Sequence, residues 1–115
     1  MVFIEHPVFT RRIEKLGGAD AFEVLMAIQN DLMGSPLRGR LVPGLSGVRK
    51  SRVGNPGRGK GKRGGFRYFY LYLEHRGHIH LLLLLDEQED LTPPEREAVR
   101  RMVALIKEER PDAKA

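Results

Sequence analysis

Hydrophobic and polar positions follow a helical period in the first third of the chain. In "HPVFTRRIEKL", Phe9, Ile13 and Leu16 recur at helical spacing, and Pro7 suits the first turn of a helix. The segment "ADAFEVLMAIQNDLM" predicts a second helix, whose expected buried stripe consists of Phe22, Leu25, Met26, Gln29, Leu32 and Met33. Glycines 17 and 18 end the first helix, so the pattern predicts a helical hairpin after a short strand, "VFIE".

The pattern changes to strands in the second half of the chain. Residues 66–73, "FRYFYLYL", alternate so that Phe66, Tyr68, Tyr70 and Tyr72 share one face and Arg67, Phe69, Leu71 and Leu73 share the other. The run "HIHLLLLLD" is continuously apolar, which predicts a strand that is buried on both faces. A hairpin turn around Gly77 joins the two strands.

A final helix begins at a capping box. Thr92 is the N-cap, Glu95 follows three residues later, and Pro93 falls at the first helical position. The apolar stripe of this helix is Val99, Met102, Val103 and Ile106. We therefore predict one α+β domain over residues 1–115, with an antiparallel, twisted sheet of three to five strands, an N-terminal helical hairpin and a C-terminal helix.

Composition restricts the setting of the protein. The chain has no cysteine, which excludes disulfides and thiolate metal sites and fits a reducing compartment. Its N-terminus does not have the pattern of a signal peptide, and its longest apolar run, residues 81–85, is too short to span a bilayer. We expect a cytoplasmic protein without a membrane partner.

The positive charge is concentrated in the middle of the chain. From Leu32 to Leu73 there is no acidic residue, whereas the segment 86–115 has nine acids and six bases. The cations of the middle segment are Arg38, Arg40, Arg49, Lys50, Arg52, Arg58, Lys60, Lys62, Arg63 and Arg67. Such segregation is typical of a site for a polyanion. The alternative is a flexible basic loop that serves solubility.

Two nucleotide-binding patterns match the glycine-rich loop by letter. Gly54-x4-Gly59-Lys60 approximates a Walker A motif, although Gly61 replaces the Ser or Thr, and Gly59-x-Gly61-x-x-Gly64 approximates a dinucleotide fingerprint. Both motifs must open a helix, and here a strand follows. We therefore favour an extended track for a nucleic-acid backbone, on which the three tyrosines either stack with bases or pack within the sheet.

These motifs, in this order, resemble the RelE/HigB superfamily, toxins of bacterial toxin–antitoxin modules, and are most similar to the HigB-like branch. The matching segments are Gly47-Val48-Arg49-Lys50, Gly61-Lys62-Arg63-Gly64-Gly65-Phe66-Arg67 with Tyr70, and Glu89-Asp90-Leu91-Thr92. The resemblance covers nearly the whole chain. It implies the RelE-like microbial RNase fold and an mRNA interferase that cleaves mRNA, in many members in the ribosomal A site.

The resemblance also implies roles for individual residues. The RNA's own 2′-hydroxyl attacks the adjacent phosphate, with no metal and no cofactor, and cations assist proton transfer and stabilise the phosphorane. The implied catalytic residues are Lys50 as the base, Arg52 and Arg67 as stabilisers, and Tyr70 as a stacking or proton-shuttling group. The implied RNA-binding residues are Arg49, Arg58, Lys60, Lys62 and Arg63. Expected partners are mRNA, the ribosome with its rRNA, and a cognate antitoxin, typically a small helix-turn-helix DNA-binding protein.

One segment departs from the family pattern. Asp86 and Glu87 stand where members of the family commonly carry a cation after the last strand. An alternative is therefore a catalytically weakened or inactive module that binds RNA and antitoxin, and a third hypothesis is an RNA-binding accessory protein unrelated to toxins. His75, His78 and His80 add a separate alternative, since His78 and His80 share a strand face as some metal ligands do.

Overall fold

The structure, a computed structural model, describes residues 1–55 and 65–108 and has the α+β architecture that the sequence predicts. Its elements are β1 (Val2–Glu5), α1 (Pro7–Glu14), α2 (Gly18–Gly34), β2 (Arg40–Leu41), β3 (Arg49–Val53), β4 (Phe66–Leu73), β5 (His78–Asp86) and α3 (Pro93–Glu108). A single 3₁₀ turn, Glu74–Arg76, and the left-handed Gly77 connect β4 to β5. The predicted strands, the helical hairpin and the C-terminal helix are thus confirmed.

The five strands form one sheet in the order β1-β5-β4-β3-β2. Four of them pair antiparallel, but β1 runs parallel to β5, with Val2 opposite His78 and Glu5 opposite Leu81. The predicted antiparallel sheet is confirmed for β2 to β5, and the parallel pairing of β1 makes the five-stranded sheet mixed. Most of the chain separates β1 from β5, so no tight turn forces these two strands to run in opposite directions.

A β-bulge between β4 and β5 explains how the five consecutive leucines are divided between the two faces of the sheet. Phe69 pairs with Leu83 and Tyr70 with Leu81, so Leu82 has no partner in the register. As a result Leu82 and Leu83 both join the core beneath α3, whereas Leu81 and Leu84 join the core beneath α1 and α2. The strand is buried on both faces from Ile79 to Leu85, as its apolar run predicts.

The helical hairpin packs on one face of the sheet and α3 on the other. In α2 the buried side chains are Val24, Ile28 and Leu32, whereas Phe22 is 65% and Met33 61% exposed. The predicted stripe is therefore wrong for Phe22, Met26 and Met33. The helix carries apolar residues on opposite sides, and the side with the β-branched residues faces the sheet.

The helix α3 begins and packs as its sequence predicts. The Thr92 amide donates to Glu95 Oε1 at 2.9 Å, and the Glu95 amide donates to Thr92 Oγ1 at 3.3 Å, which completes the capping box. Val99, Val103 and Ile106 are buried against β4 and β5, with Met102 at the margin. No helix within the described residues is long and apolar enough to cross a membrane.

Candidate nucleic-acid interface

Strand register brings four cations together on one face of the sheet. Lys50 lies opposite Arg40 of β2, and Arg52 lies opposite Arg67 of β4. Opposed residues point to the same face, and Lys50 and Arg52 are two residues apart on β3, so the four side chains share the face on which α3 packs. From strand spacing and rise, their Cα atoms span about 12 Å. We call Arg40, Lys50, Arg52 and Arg67 the cation quartet.

An open cleft lies over this quartet. It has a volume of about 370 Å³ and is lined by Arg38, Arg40, Lys50, Ser51, Arg52 and Arg67. Arg38 stands at its margin, where Nη1 lies 3.3 Å from Asp31 Oδ1. The sequence-based site omitted Arg38 and Arg40, although both belong to the acid-free segment, and that segment was the signal that pointed to them.

The four side chains of the quartet differ in whether a hydrogen bond holds them in place. Arg67 is half-buried, and its Nη1 donates to the backbone carbonyl of Glu89 at 3.2 Å. Within residues 1–55 and 65–108, no hydrogen bond or ion pair engages the side chains of Arg40, Lys50 or Arg52. Cations that oppose each other without an intervening acid repel one another. An anion in the cleft would offset this repulsion.

Tyr70 does not reach the cleft. Its side chain is fully buried on the opposite face, where its hydroxyl donates to the Pro36 carbonyl at 2.8 Å and accepts from the Gly39 amide at 2.9 Å. Burial raises the pKa of Tyr70 above its ordinary value, so the phenol stays protonated. This placement contradicts the expectation that Tyr70 stacks on RNA or shuttles a proton. Its hydroxyl instead fixes the loop that leads into β2.

Arg49 serves the same loop. Its Nη1 donates to the Gly39 carbonyl at 2.7 Å and to the Leu37 carbonyl at 3.3 Å. Arg49 pairs with Tyr70 and therefore points away from the quartet. The loop is tightly packed, since a Cβ at Gly39 would lie 2.9 Å from the Lys50 carbonyl oxygen and from Tyr70 Oη. The structure thus gives Arg49 a loop-fixing position in place of the expected position on the RNA-binding face.

Tyr68 and Tyr72 also belong to the face beneath the helical hairpin. Tyr68 is fully buried, and burial raises the pKa of its hydroxyl above the ordinary value. Tyr72 is partly buried and packs against the same core. Of the two alternatives for the tyrosines, packing within the sheet is therefore the one that the structure supports.

Asp86, the last residue of β5, and the acidic residues that follow it form a closed turn beside Arg67. The Glu89 amide donates to the Asp86 carbonyl at 2.9 Å, and the Asp86 amide donates to Glu89 Oε1 at 2.8 Å. Glu89 Oε1 also accepts from Arg12 Nη2 of α1 at 3.0 Å. The bond from the Asp86 amide, followed by that from Arg12, lowers the pKa of Glu89 below its ordinary value. The turn therefore carries negative charge next to the quartet.

His6, His78 and His80 pack against one another, whereas His75 is exposed. His80 is buried, and its Nδ1 lies 2.9 Å from Nε2 of His6, which precedes α1. The rings of His78 and His80 meet edge to face, with centroids 6.0 Å apart. Within the described part of the chain, no group of three or more histidine or acidic side chains has a metal-binding arrangement.

Four of the predicted RNA-binding residues, Arg58, Lys60, Lys62 and Arg63, lie outside the described residues, as do both nucleotide-binding patterns apart from Gly54. The segment that follows is the strand β4 and not a helix. A Walker A or dinucleotide loop must open a helix, so this context argues against either motif.

Solved structures share the fold. The E. coli toxin RelE, as a mutant in the free state, superposes with a TM-score of 0.60 at 12% identity, over 89% of this chain and 95% of that chain. The isolated E. coli RelE toxin gives a TM-score of 0.55 at 16% identity, over 88% of this chain and 97% of that chain. No family model matches the sequence. At these identities the likeness establishes a RelE-like fold.

Proposed function

We propose that this protein is the toxin of a toxin–antitoxin module, of the HigB-like branch, and that it is an endoribonuclease that cleaves mRNA. The observation that carries the proposal is the cation quartet, opposed in register on an open sheet face, in a fold shared with the toxin RelE. The cleft holds two opposed pairs of like charges, and none of these four cations forms an ion pair among the described residues, which matches a polyanion.

In the proposed reaction the RNA's 2′-oxygen attacks the adjacent phosphorus and the 5′-oxygen leaves. The products are a 2′,3′-cyclic phosphate and a 5′-hydroxyl. Lys50, which no hydrogen bond or ion pair engages within the described residues, accepts the proton of the attacking hydroxyl when its amine is unprotonated, and solvent water protonates the leaving 5′-oxygen. Arg52 and Arg67 stabilise the charge that develops on the phosphorane, because guanidinium groups remain cationic and bind phosphate oxygens through a planar fork.

Arg38 and Arg40 extend the proposed site towards β2. They lie on the far side of the cleft from Arg67, so they would hold the phosphate next to the one that reacts. Arg58, Lys60, Lys62 and Arg63 remain proposed contacts to the RNA backbone or rRNA. The proposed setting is the cytoplasm, where translated mRNA is found, with a cognate antitoxin that covers the basic face by complementary charge.

The acidic turn favours a second candidate function. Asp86 and Glu87 belong to the turn whose residue Glu89 accepts from Arg67 through its backbone carbonyl, and they stand where the resemblance leads us to expect a cation. A protein with this departure would bind RNA and antitoxin without cutting RNA. Cleavage by the folded wild-type protein distinguishes this candidate from the first.

Primer-extension mapping of an mRNA translated in a purified system, with and without ribosomes, tests the proposal. We expect discrete cuts from the wild type and a loss on the order of 100-fold to 1,000-fold in rate for Arg67→Ala, as when one charge-stabilising donor is removed. The matched control is Arg101→Ala, an arginine with a 74% exposed side chain on α3 that lies outside the cleft. No cuts from folded wild-type protein, or equal loss in both variants, would contradict the proposal.

A further inference from the structure

Glu89 is the acidic residue of the turn 86–89 that holds several groups at once. Its carboxylate accepts from the Asp86 amide and from Arg12, and its amide donates to the Asp86 carbonyl. Its own carbonyl accepts from Nη1 of Arg67. One residue therefore joins α1, the end of β5 and a member of the cation quartet.

This geometry fixes where the Glu89 carbonyl lies. Two hydrogen bonds between residues 86 and 89 close the turn, and the ion pair with Arg12 anchors the turn to a helix. A carbonyl held in this way constrains the guanidinium that donates to it, since a long arginine side chain otherwise samples many rotamers. Glu87 differs, because among the described residues its carboxylate bonds to no other group.

We infer that Glu89 is a positioning residue, which closes the turn 86–89 so that its carbonyl directs the Arg67 guanidinium into the cleft. The consequence of this inference for catalysis rests on the proposed function. The placement of the Arg67 side chain can be tested without measuring cleavage. The inference assigns the acidic turn a supporting role, in place of the inhibitory role that its charge suggests.

The lowered pKa of Glu89 agrees with this role. The Asp86 amide and the Arg12 guanidinium both favour the ionised carboxylate, so the contacts persist at neutral pH. Both donors bond to Oε1 of Glu89, and the Arg12 guanidinium offsets part of the negative charge of the carboxylate. Glu89 therefore repels an incoming phosphate less than a free carboxylate in the same place.

Two variants separate positioning from simple repulsion. If the acids only repel RNA, Glu89→Ala and Glu87→Ala both speed cleavage. If Glu89 positions Arg67, Glu89→Ala lowers kcat about tenfold or more with little change in KM, because the loss of an ordered charged hydrogen bond is felt in the transition state. Glu87→Ala then keeps or raises the wild-type rate. Glu89→Gln, whose amide oxygen still accepts from the Asp86 amide, retains most of the activity.

The double variant with Arg67→Ala provides a cycle. Positioning predicts that Glu89→Ala has no further effect on kcat once Arg67 is absent. If Glu89→Ala and Arg67→Ala lower kcat independently, so that their fold-losses multiply in the double variant, the inference is overturned. Equal acceleration of cleavage by Glu89→Ala and Glu87→Ala would overturn it as well.

The side-chain NMR signal of Arg67 gives a readout that needs no cleavage. In spectra of the arginine Nε–Hε groups, assigned with Arg67→Ala, we expect Glu89→Ala to shift or broaden the Arg67 signal while backbone amide spectra show that the fold is kept. Glu87→Ala leaves the signal in place. An unchanged Arg67 signal in Glu89→Ala refutes the placement, whereas a wild type that cuts no RNA refutes only the proposed function.

Discussion

Replacing Arg52 by Gln should stabilise the protein while it weakens RNA binding. Arg52 is exposed, lies directly opposite Arg67, and has no hydrogen bond or ion pair within the described residues. Its removal therefore breaks no hydrogen bond or ion pair among the described residues and relieves one like-charge pair. A gain in stability together with a loss of binding is expected where a residue serves ligand binding at the expense of stability.

The size of the effect follows from the register. Opposed like charges on neighbouring strands destabilise a sheet by up to about 1 kcal/mol, and Coulomb's law for charges about 6 Å apart in water gives about 0.7 kcal/mol. We expect Arg52→Gln to raise the free energy of unfolding by about 0.5–1 kcal/mol at low salt. For a chain of this size, this corresponds to an increase in Tm of about 2–5 °C.

Thermal unfolding at low salt and at about 1 M salt measures this effect. At high salt the Debye length is about 3 Å, so the gain should vanish. The matched control is Arg49→Gln on the same strand, which removes the hydrogen bonds to the Leu37 and Gly39 carbonyls and should lower Tm at both salt concentrations. A lower Tm for Arg52→Gln, or a gain that salt does not change, would refute the argument from repulsion.

Three further predictions concern the frame of the site. Tyr70→Phe removes the partner of the Gly39 amide and of the Pro36 carbonyl, and should lower the free energy of unfolding by about 1–3 kcal/mol in urea titrations; no loss would contradict the loop-fixing role. Thr92→Ala removes the N-cap of α3 and should cost about 1 kcal/mol in the same assay, whereas an unchanged midpoint would exclude a stabilising cap. The lowered pKa of Glu89 stabilises the fold fully above its ordinary value of 4.5, and this contribution is lost as pH falls through the lowered pKa. Glu89→Gln should therefore flatten the acid limb of a stability–pH curve, and an identical limb would contradict the assignment.

Strand alternation separated the two faces of β4 correctly from the sequence. It placed Arg67 and Tyr70 on opposite faces, and the structure agrees. The resemblance nevertheless assigned both residues to one catalytic site. The local pattern was the better guide. Side chains an odd number of residues apart on a strand point to opposite faces unless a bulge lies between them, and the bulge beside Phe69 and Tyr70 adds its extra residue to β5 and not to β4.

Other features depended on pairing, which periodicity does not encode. Arg40 joins the quartet because the two-residue strand β2 pairs with Lys50 and Arg49, and so short a strand has no detectable alternation. The parallel pairing of β1 with β5 likewise depends on contacts between the ends of the chain. In α2, apolar residues on both sides gave two possible stripes, and only packing against the sheet selected Val24, Ile28 and Leu32.

The most direct test of the central claim uses an mRNA with a single 2′-deoxynucleotide on the 5′ side of a mapped cut. The claim is that the cation quartet promotes attack by the RNA's own 2′-hydroxyl. With wild-type protein in the purified translation system, we expect that cut to disappear while cuts elsewhere on the same mRNA persist. Continued cutting at the deoxy position would contradict the claim, because the proposed nucleophile is absent there.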